Sequence, residues 1–540
     1  MLSMHPLWPY SGARRRLLLR VALSSLLFCA APPRAGAGEL LWFADGRPTP
    51  AAQQVVDLLL AATADGLDPR DYQARALAEA IARASGEAEL AADALSSLDE
   101  ALTGALRSYL DDRRFGRVDP RQVGANYAPP HRDLNEADSL LASIAGNRSA
   151  DETAGGLTEA LPEYSQLRTA LAGYRRLAAE QAWKRSLPAP PDGRLSPGQK
   201  YAGLDLLAER LRLLGDLANG PSLPARYEGR IVEAVKAFQR RHGISADGVV
   251  GRETLAQLQV PPAVRVRQIE LALERLRWTP LLQAPRVIVV NVPEFALGAY
   301  EVHDGQLRSR LAMRVIVGTA GKTQTPIFDA ELRFIEFSPY WNVPPSIARG
   351  ETLPRLRRDP SYFDRQGFEF VDGDGRVVAG FSEAGLDAVQ RGQMRIRQRP
   401  GAANALGDIK FVFPNSDNIY LHHTPGTHLF RRDRRDFSHG CIRVEAPVEL
   451  ARFVLAGEPE WTEERIVQAM RRGKSATIRL PEPLPVVVAY RTAVFRDGKI
   501  HFFPDIYGLD RVLDEALSRR RPPPLPSLAS QSAIRSRFWN

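Results

Sequence analysis

Near residue 285 the apolar residues of this chain change their spacing, and that change limits what the chain can become. Ahead of it they recur at helical intervals. Val55, Leu58, Leu59 and Ala62 share one face of a predicted helix that stops at Asp65-Gly66, and Leu95, Leu98, Leu102, Leu106 and Tyr109 make a longer stripe. Beyond it come short β-rich runs at 286–292, 295–300, 311–317, 332–337, 410–413 and 418–421, then a helix over 447–455. With 540 residues the chain exceeds what one hydrophobic core holds. The pattern therefore predicts a multidomain α+β protein. It has a helical scaffold domain over 45–185, a Pro-rich linker at 186–198 and a small three-helix unit over 199–262. A β-rich, sandwich-like domain follows over 285–480, then a strand and helix extension over 481–512. Within the β-rich part, 346–400 turns charged and arginine-rich, with Arg349, Glu351, Arg355, Arg357 and Arg358. An insertion of that length in a compact domain is more often functional than ornamental.

The chemistry concentrates in one short stretch. Four of the nine histidines (His422, His423, His428 and His439) precede Cys441 there, in the order Tyr420-Leu-His-His, a fourteen-residue polar loop, then Ser438-His439-Gly440-Cys441. A thiol attacks only as its thiolate, so it needs an imidazole or a cation beside it. Gly440 lets the backbone turn sharply before the nucleophile, which frees the amides of Gly440 and Cys441 to face an oxyanion. Two blander readings compete. One is a buried core cysteine among stray histidines. The other is a zinc site of His422, His439 and Cys441, which lacks a fourth ligand at an obvious spacing. Catalysis accounts for more of the pattern.

His422, its fifteen-residue spacer and Ser438-His439-Gly440-Cys441 resemble the signature of YkuD-type L,D-transpeptidase catalytic domains, which cross-link bacterial peptidoglycan. Flanking segments resemble the large YcbB-type branch: Arg314-Val-Ile-Val-Gly-Thr, Thr325-Pro326, Ser338-Pro-Tyr-Trp-Asn-Val-Pro-Pro345, Pro400-Gly-Ala-Ala-Asn404 and Asp505-Ile-Tyr-Gly508. The resemblance implies a scaffold domain at the start and a lid at 346–400 above the active site. Phe238-Gln239, His242-Gly-Ile244 and Asp247-Gly-Val-Val-Gly251 likewise resemble a peptidoglycan-binding repeat, against the alternative of a purely structural three-helix unit.

By this resemblance Cys441 is the nucleophile, attacking the stem-peptide carbonyl before the terminal D-Ala. His422 is the general base and later acid, and the backbone carbonyl of His423 is the third member. His439 and Ser438 shape the loop or position substrate, and Arg443 pairs with a substrate carboxylate. Tyr340 and Trp341 wall the cleft or belong to a core. A histidine at 423 departs from the family pattern, and since neighbouring strand residues face opposite ways, only one of the two rings can meet the thiol. The acceptor stays open among a diaminopimelate amine (a 3→3 cross-link), water (carboxypeptidase trimming), a D-amino acid and a lipoprotein lysine. No metal or organic cofactor is required. Stem peptides and glycan are the expected partners, and carbapenems the expected inhibitors. The rivals are a non-catalytic wall-binding protein and a zinc-dependent wall peptidase.

Arg14, Arg15, Arg16 and Arg20 precede a short apolar run, and Ala35-Gly36-Ala37 follows in a small-x-small pattern, so 1–37 reads as a secretory signal peptide. Phe28 is too bulky to make Cys29 a lipoprotein anchor. Cleavage after Ala37 leaves Cys441 as the one cysteine, without a disulfide partner in an oxidising, periplasmic compartment. The net charge of +9 is no sign of nucleic acid. Five arginines in 1–37 and five from Ser518 onward, with no acid in either stretch, leave the body at −1. The Pro-rich basic tail over 518–540 reads as disordered.

Overall fold

The computed structural model of the protein describes residues 40–519 apart from 87–89, 129–133, 147, 151, 153–160, 221, 283 and 379. The expected signal peptide lies outside them. So does the expected tail, except Ser518 and Arg519, which end the helix Leu509–Arg519. Among the described residues no helix is long and apolar enough to cross a membrane.

The scaffold helices are Pro50–Leu60, Ala74–Ala84, Ala92–Phe115, Leu134–Ala145 and Pro162–Leu177. The first is capped as its sequence demands: Thr49 Oγ1 accepts from Ala52 N, and a proline opens the first turn. Val55, Leu58, Leu59 and Ala62 are buried, and Gly66 stops the following turn in the left-handed region at φ 69°. Asp65 is buried at the hub of this part, where Tyr109 and Tyr164 hydroxyls donate to it at 3.0 Å each. The helix Pro262–Trp278 then runs between scaffold and sheet, burying Ile269, Ala272, Leu273 and Leu276 in a core that both share.

The three-helix unit (Leu204–Leu213, Arg230–Arg240, Arg252–Gln259) closes over Ile231, Val235 and Phe238. Its Phe-Gln and Asp-Gly elements meet in space. Gln239, fully buried, donates to Asp247 Oδ1 at 2.9 Å and accepts from Gly248 N at 2.9 Å. The stretch 186–198, expected as a linker, packs onto this unit instead. Leu187 and Leu195 are buried, and Leu195 exchanges backbone hydrogen bonds with Val250. Two apolar side chains among the prolines suffice to hold it there.

The strands that carry the site are β1 (Ala125–Asn126), β2 (Arg286–Asn291), β3 (Ala296–His303), β4 (Gln306–Gly318), β5 (Ile327–Phe337), β6 (Trp341–Asn342), β7 (Phe368–Val371), β8 (Val377–Val378), β9 (Arg395–Gln398), β10 (Ile409–Val412), β11 (Leu421–His422), β12 (Asp436–Ser438), β13 (Ile442–Val444) and β14 (Ala476–Ala489). In the order β10-β11-β13-β4-β3-β2-β14-β5 they pair edge to edge, and β5 pairs back to β10. The sheet closes on itself, where a sandwich was expected, so no long edge is left open. The scaffold strand β1 runs parallel beside the start of β5. The start of the extension expected over 481–512 is part of this closed sheet, because β14 lies between β2 and β5 and crosses that boundary, while Ala493–Arg496 and Lys499–Phe502 form a separate hairpin ahead of the last helix.

The insertion folds as a unit with its own core of Leu353, Leu356, Phe363, Phe370, Leu386 and Ile396. Its antiparallel sheet has the order β8-β7-β9-β6, so it begins at Trp341 rather than at 346. At its base Asn404, buried, donates to Pro339 O at 3.0 Å and Arg399 O at 2.9 Å.

Candidate active site

Alternation along four adjacent strands builds the site. Leu421, Ile442, Phe411 and Ile335 are fully buried in the core. Their neighbours face the other way, and register aligns Glu336, Lys410, His422 and Arg443 in one row across β5, β10, β11 and β13. Tyr420 and Cys441 lie beside that row, joined through the Ile442 N–H donating to Tyr420 O at 3.0 Å.

The loop before Cys441 is pinned from below. Ser438, buried, donates through Oγ to Cys441 O at 2.5 Å and accepts from Gly440 N at 3.1 Å. Its carbonyl accepts from Thr323 Oγ1 at 2.9 Å, and Thr325 Oγ1 donates to Gly440 O at 2.7 Å. Gly440 sits at φ 111°, and a Cβ there would lie 3.2 Å from Ile419 Cδ1, so the turn requires glycine. One expectation changes: the Gly440 amide donates to Ser438 Oγ, so it is not free to face an oxyanion. Short serine side chains bond to the backbone two residues on, and this one does.

The His422 ring is buried, and its Nδ1 donates to His423 O at 2.5 Å, which places the lone pair on Nε2. Burial, with Arg443 close by, pushes its pKa down to about 3, so the ring is neutral. Cys441 Sγ donates to Asn418 O at 3.7 Å, and burial raises the thiol. Arg443 is half-buried, its pKa lowered by burial, and its Nε has no hydrogen-bond partner among the described residues. His423 turns to the opposite side, where its Nδ1 is 3.5 Å from Asp408 Oδ2. Gly407 makes room for it, since a Cβ there would come within 2.6 Å of Nδ1.

His439 faces outward, its Nε2 2.7 Å from Glu351 Oε1 of the insertion. Ser438 points in, so alternation sends the next side chain out. Tyr340 lies under the Arg397 guanidinium at 4.2 Å, and Trp341 packs against the core of the insertion. Among the described residues no three His, Cys, Asp or Glu side chains converge in a metal-binding geometry. Sequence reasoning passed over Tyr420, Lys410 and Glu351. Tyr420 had a signal, its two-residue spacing from His422, whereas Glu351 is one charge among many in its segment.

Residues 285–467 match the family of the L,D-transpeptidase catalytic domain. The chain carries a YkuD L,D-transpeptidase domain. Residues 34–171 match the scaffold domain, and 202–258 match the peptidoglycan binding domain, a provisional designation. The chain also resembles a Haemophilus influenzae protein provisionally named an L,D-transpeptidase. Identity is 37% over 252 residues, 46% of this chain and 49% of that protein, so the chain spans about half the length of this curated relative. Among solved structures, an L,D-transpeptidase from Stackebrandtia nassauensis aligns over 58% of this chain and 100% of its own, at 14% identity and TM-score 0.24. One from Xylanimonas cellulosilytica aligns over 55% and 99%, at 16% identity and TM-score 0.18.

Proposed function

We propose that this protein is a peptidoglycan L,D-transpeptidase of the cell envelope. The supporting observation is the shared face of Cys441, His422 and Arg443, with a neutral, oriented imidazole and a guanidinium that lacks a carboxylate. His422 Nε2 takes the thiol proton, and Sγ attacks the carbonyl between the third stem residue and the terminal D-Ala. The Cys441 amide faces the oxyanion. Collapse breaks the C–N bond, D-Ala leaves with the proton from His422, and a thioester remains. A diaminopimelate amine then attacks the thioester, forming the 3→3 amide and returning the proton to sulfur. Arg443 receives a substrate carboxylate, which supplies the missing partner of its buried Nε. The insertion acts as a lid, tied to the catalytic loop by Glu351 and His439. The three-helix unit holds glycan.

Intact mass after incubation with a carbapenem tests this reading. One inhibitor mass on Cys441, absent in Cys441→Ala, is the expected result, together with loss of cross-linking by Cys441→Ala on tetrapeptide muropeptides. Turnover surviving in Cys441→Ala, or an adduct on another residue, overturns the mechanism. An unmodified parent favours an idle wall-binding protein.

A further inference from the structure

The proposed mechanism leaves a gap in the charge balance around Cys441. In many cysteine enzymes an imidazolium beside the sulfur stabilises the thiolate. Here the buried His422 ring is held neutral, and the resting thiol bonds to Asn418 O instead. Protonating His422 as the thiolate forms is therefore costly, and a further donor to the sulfur would lower that cost.

Tyr420 has the right position. It precedes His422 by two residues on the same face, and the two rings meet edge to face at 5.7 Å and 61°. Its backbone carbonyl is bound to the residue after the nucleophile, which fixes the side chain beside Cys441. The Tyr420 hydroxyl and the Cys441 thiol act on one another's titration, the sulfur raising the hydroxyl and the hydroxyl lowering the thiol against the effect of burial. Over the same ring, at 4.4 Å, stands Lys410 Nζ, itself 3.2 Å from Glu336 Oε2. We propose that Tyr420 is a further catalytic residue, whose hydroxyl donates to the Cys441 thiolate, and that Lys410 is a positioning residue that holds the Tyr420 ring and adds positive charge. This rests on the reading of Cys441 as nucleophile. Burial and the thiolate both push the Tyr420 hydroxyl far up, so it stays protonated and serves as a donor, never as the base. The thiol proton goes to His422 Nε2, and the hydrogen bond from Tyr420 replaces the one the thiol made to Asn418. The charged and titratable groups facing Cys441 are Tyr420 and His422 on β11 and its approach, Lys410 on β10 backed by Glu336 on β5, and Arg443 on β13. On the loop above stands His439, with Glu351 of the insertion against it.

The test is the pH profile of Cys441 alkylation by iodoacetamide in the full chain, read with the rate of carbapenem acylation. A hydrogen bond from a neutral donor to a charged acceptor corresponds to a shift of about one to two pH units. Tyr420→Phe should move the alkylation profile up by that amount and slow acylation about ten- to a hundredfold near neutral pH. Lys410→Met, with its hydroxyl intact, should move it the same way by less. A purely structural role for either side chain would leave the profile in place. If Tyr420→Phe and Lys410→Met both keep the parental profile while the parent is acylated on Cys441, the assignment of Tyr420 is overturned. If the parent itself forms no Cys441 adduct, the underlying reading falls and takes this one with it.

Discussion

Replacing Thr325 by valine removes one oxygen and leaves the shape of the side chain, in a place where that oxygen serves two partners. Thr325 is 1% exposed, donates to Gly440 O at 2.7 Å and accepts from Gly318 N at 2.9 Å. Tyr507 occupies the remaining polar groups of this junction, donating to Gly318 O at 2.6 Å and accepting from Thr325 N at 3.2 Å, so it is not free to substitute. Thr325→Val therefore strands a buried carbonyl and a buried amide. Each such group costs about 1–3 kcal/mol, giving about 2–6 kcal/mol in all if nothing moves. The Gly440 turn can escape part of that cost by shifting, and then Cys441 shifts with it. A displacement near 1 Å at a reacting atom costs about a hundredfold in rate. The assay pairs thermal melting with carbapenem acylation followed by intact mass. Thr325→Val should melt about 2 °C or more lower and acylate about a hundredfold more slowly, whereas Thr325→Ser, which keeps the hydroxyl, should stay near the parent. A Thr325→Val protein that melts with the parent and acylates within about threefold of it refutes the reasoning.

His422→Ala should slow acylation by about 10²–10⁴, and His423→Ala far less, since its carbonyl survives; the reverse order in stopped-flow acylation would move the base to His423. Replacing residues 341–398 by a Gly/Ser bridge should leave Cys441 reactive to a small β-lactam, lower turnover on muropeptides and shift product from dimer toward trimmed tripeptide. A parental dimer ratio on chromatography would rule the lid out. Because the folded His422 has a pKa of about 3, below its unfolded value near 6.5, the unfolded chain binds the extra proton in between. Stability should therefore fall as pH drops from about 6.5 toward 3. His422→Gln should flatten that slope in melting curves, and an unchanged slope would show that the ring is not held neutral.

The residues of the site were legible because catalytic groups were spaced by strand pleat and loop length. Tyr420, His422, Cys441 and Arg443 fall on one face by simple alternation across register-matched strands. Partners brought together by tertiary packing were not legible. Glu351 meets His439 across 88 residues, and no local pattern marks it among the arginines around it. Strand β14 hid for a different reason. Pro481, Pro483 and Pro485 argue against a central strand, yet Pro481 and Pro483 fall where the pairing with β5 breaks register between Arg479 and Leu484, and only Pro485 lies in the ladder, opposite Glu331. The helix Pro262–Trp278 buries Arg265, Glu274 and Arg275 along with its apolar residues, so it shows no single apolar stripe. Its charges are matched by partners far along the chain, such as Glu274 accepting from Val118 N at 2.9 Å.

The place of β14 also sets a clock. A ribosome delivers the chain from its N-terminus, so β2 and β5 are made well before the strand that must lie between them. Parallel pairing to β2 and antiparallel pairing to β5 can form only once residues 476–489 have emerged. Until then the row of Glu336, Lys410, His422 and Arg443 has no closed sheet behind it, and Cys441 is an ordinary thiol on a nascent chain. The closed sheet behind that row is therefore complete only after residues 476–489 have been made.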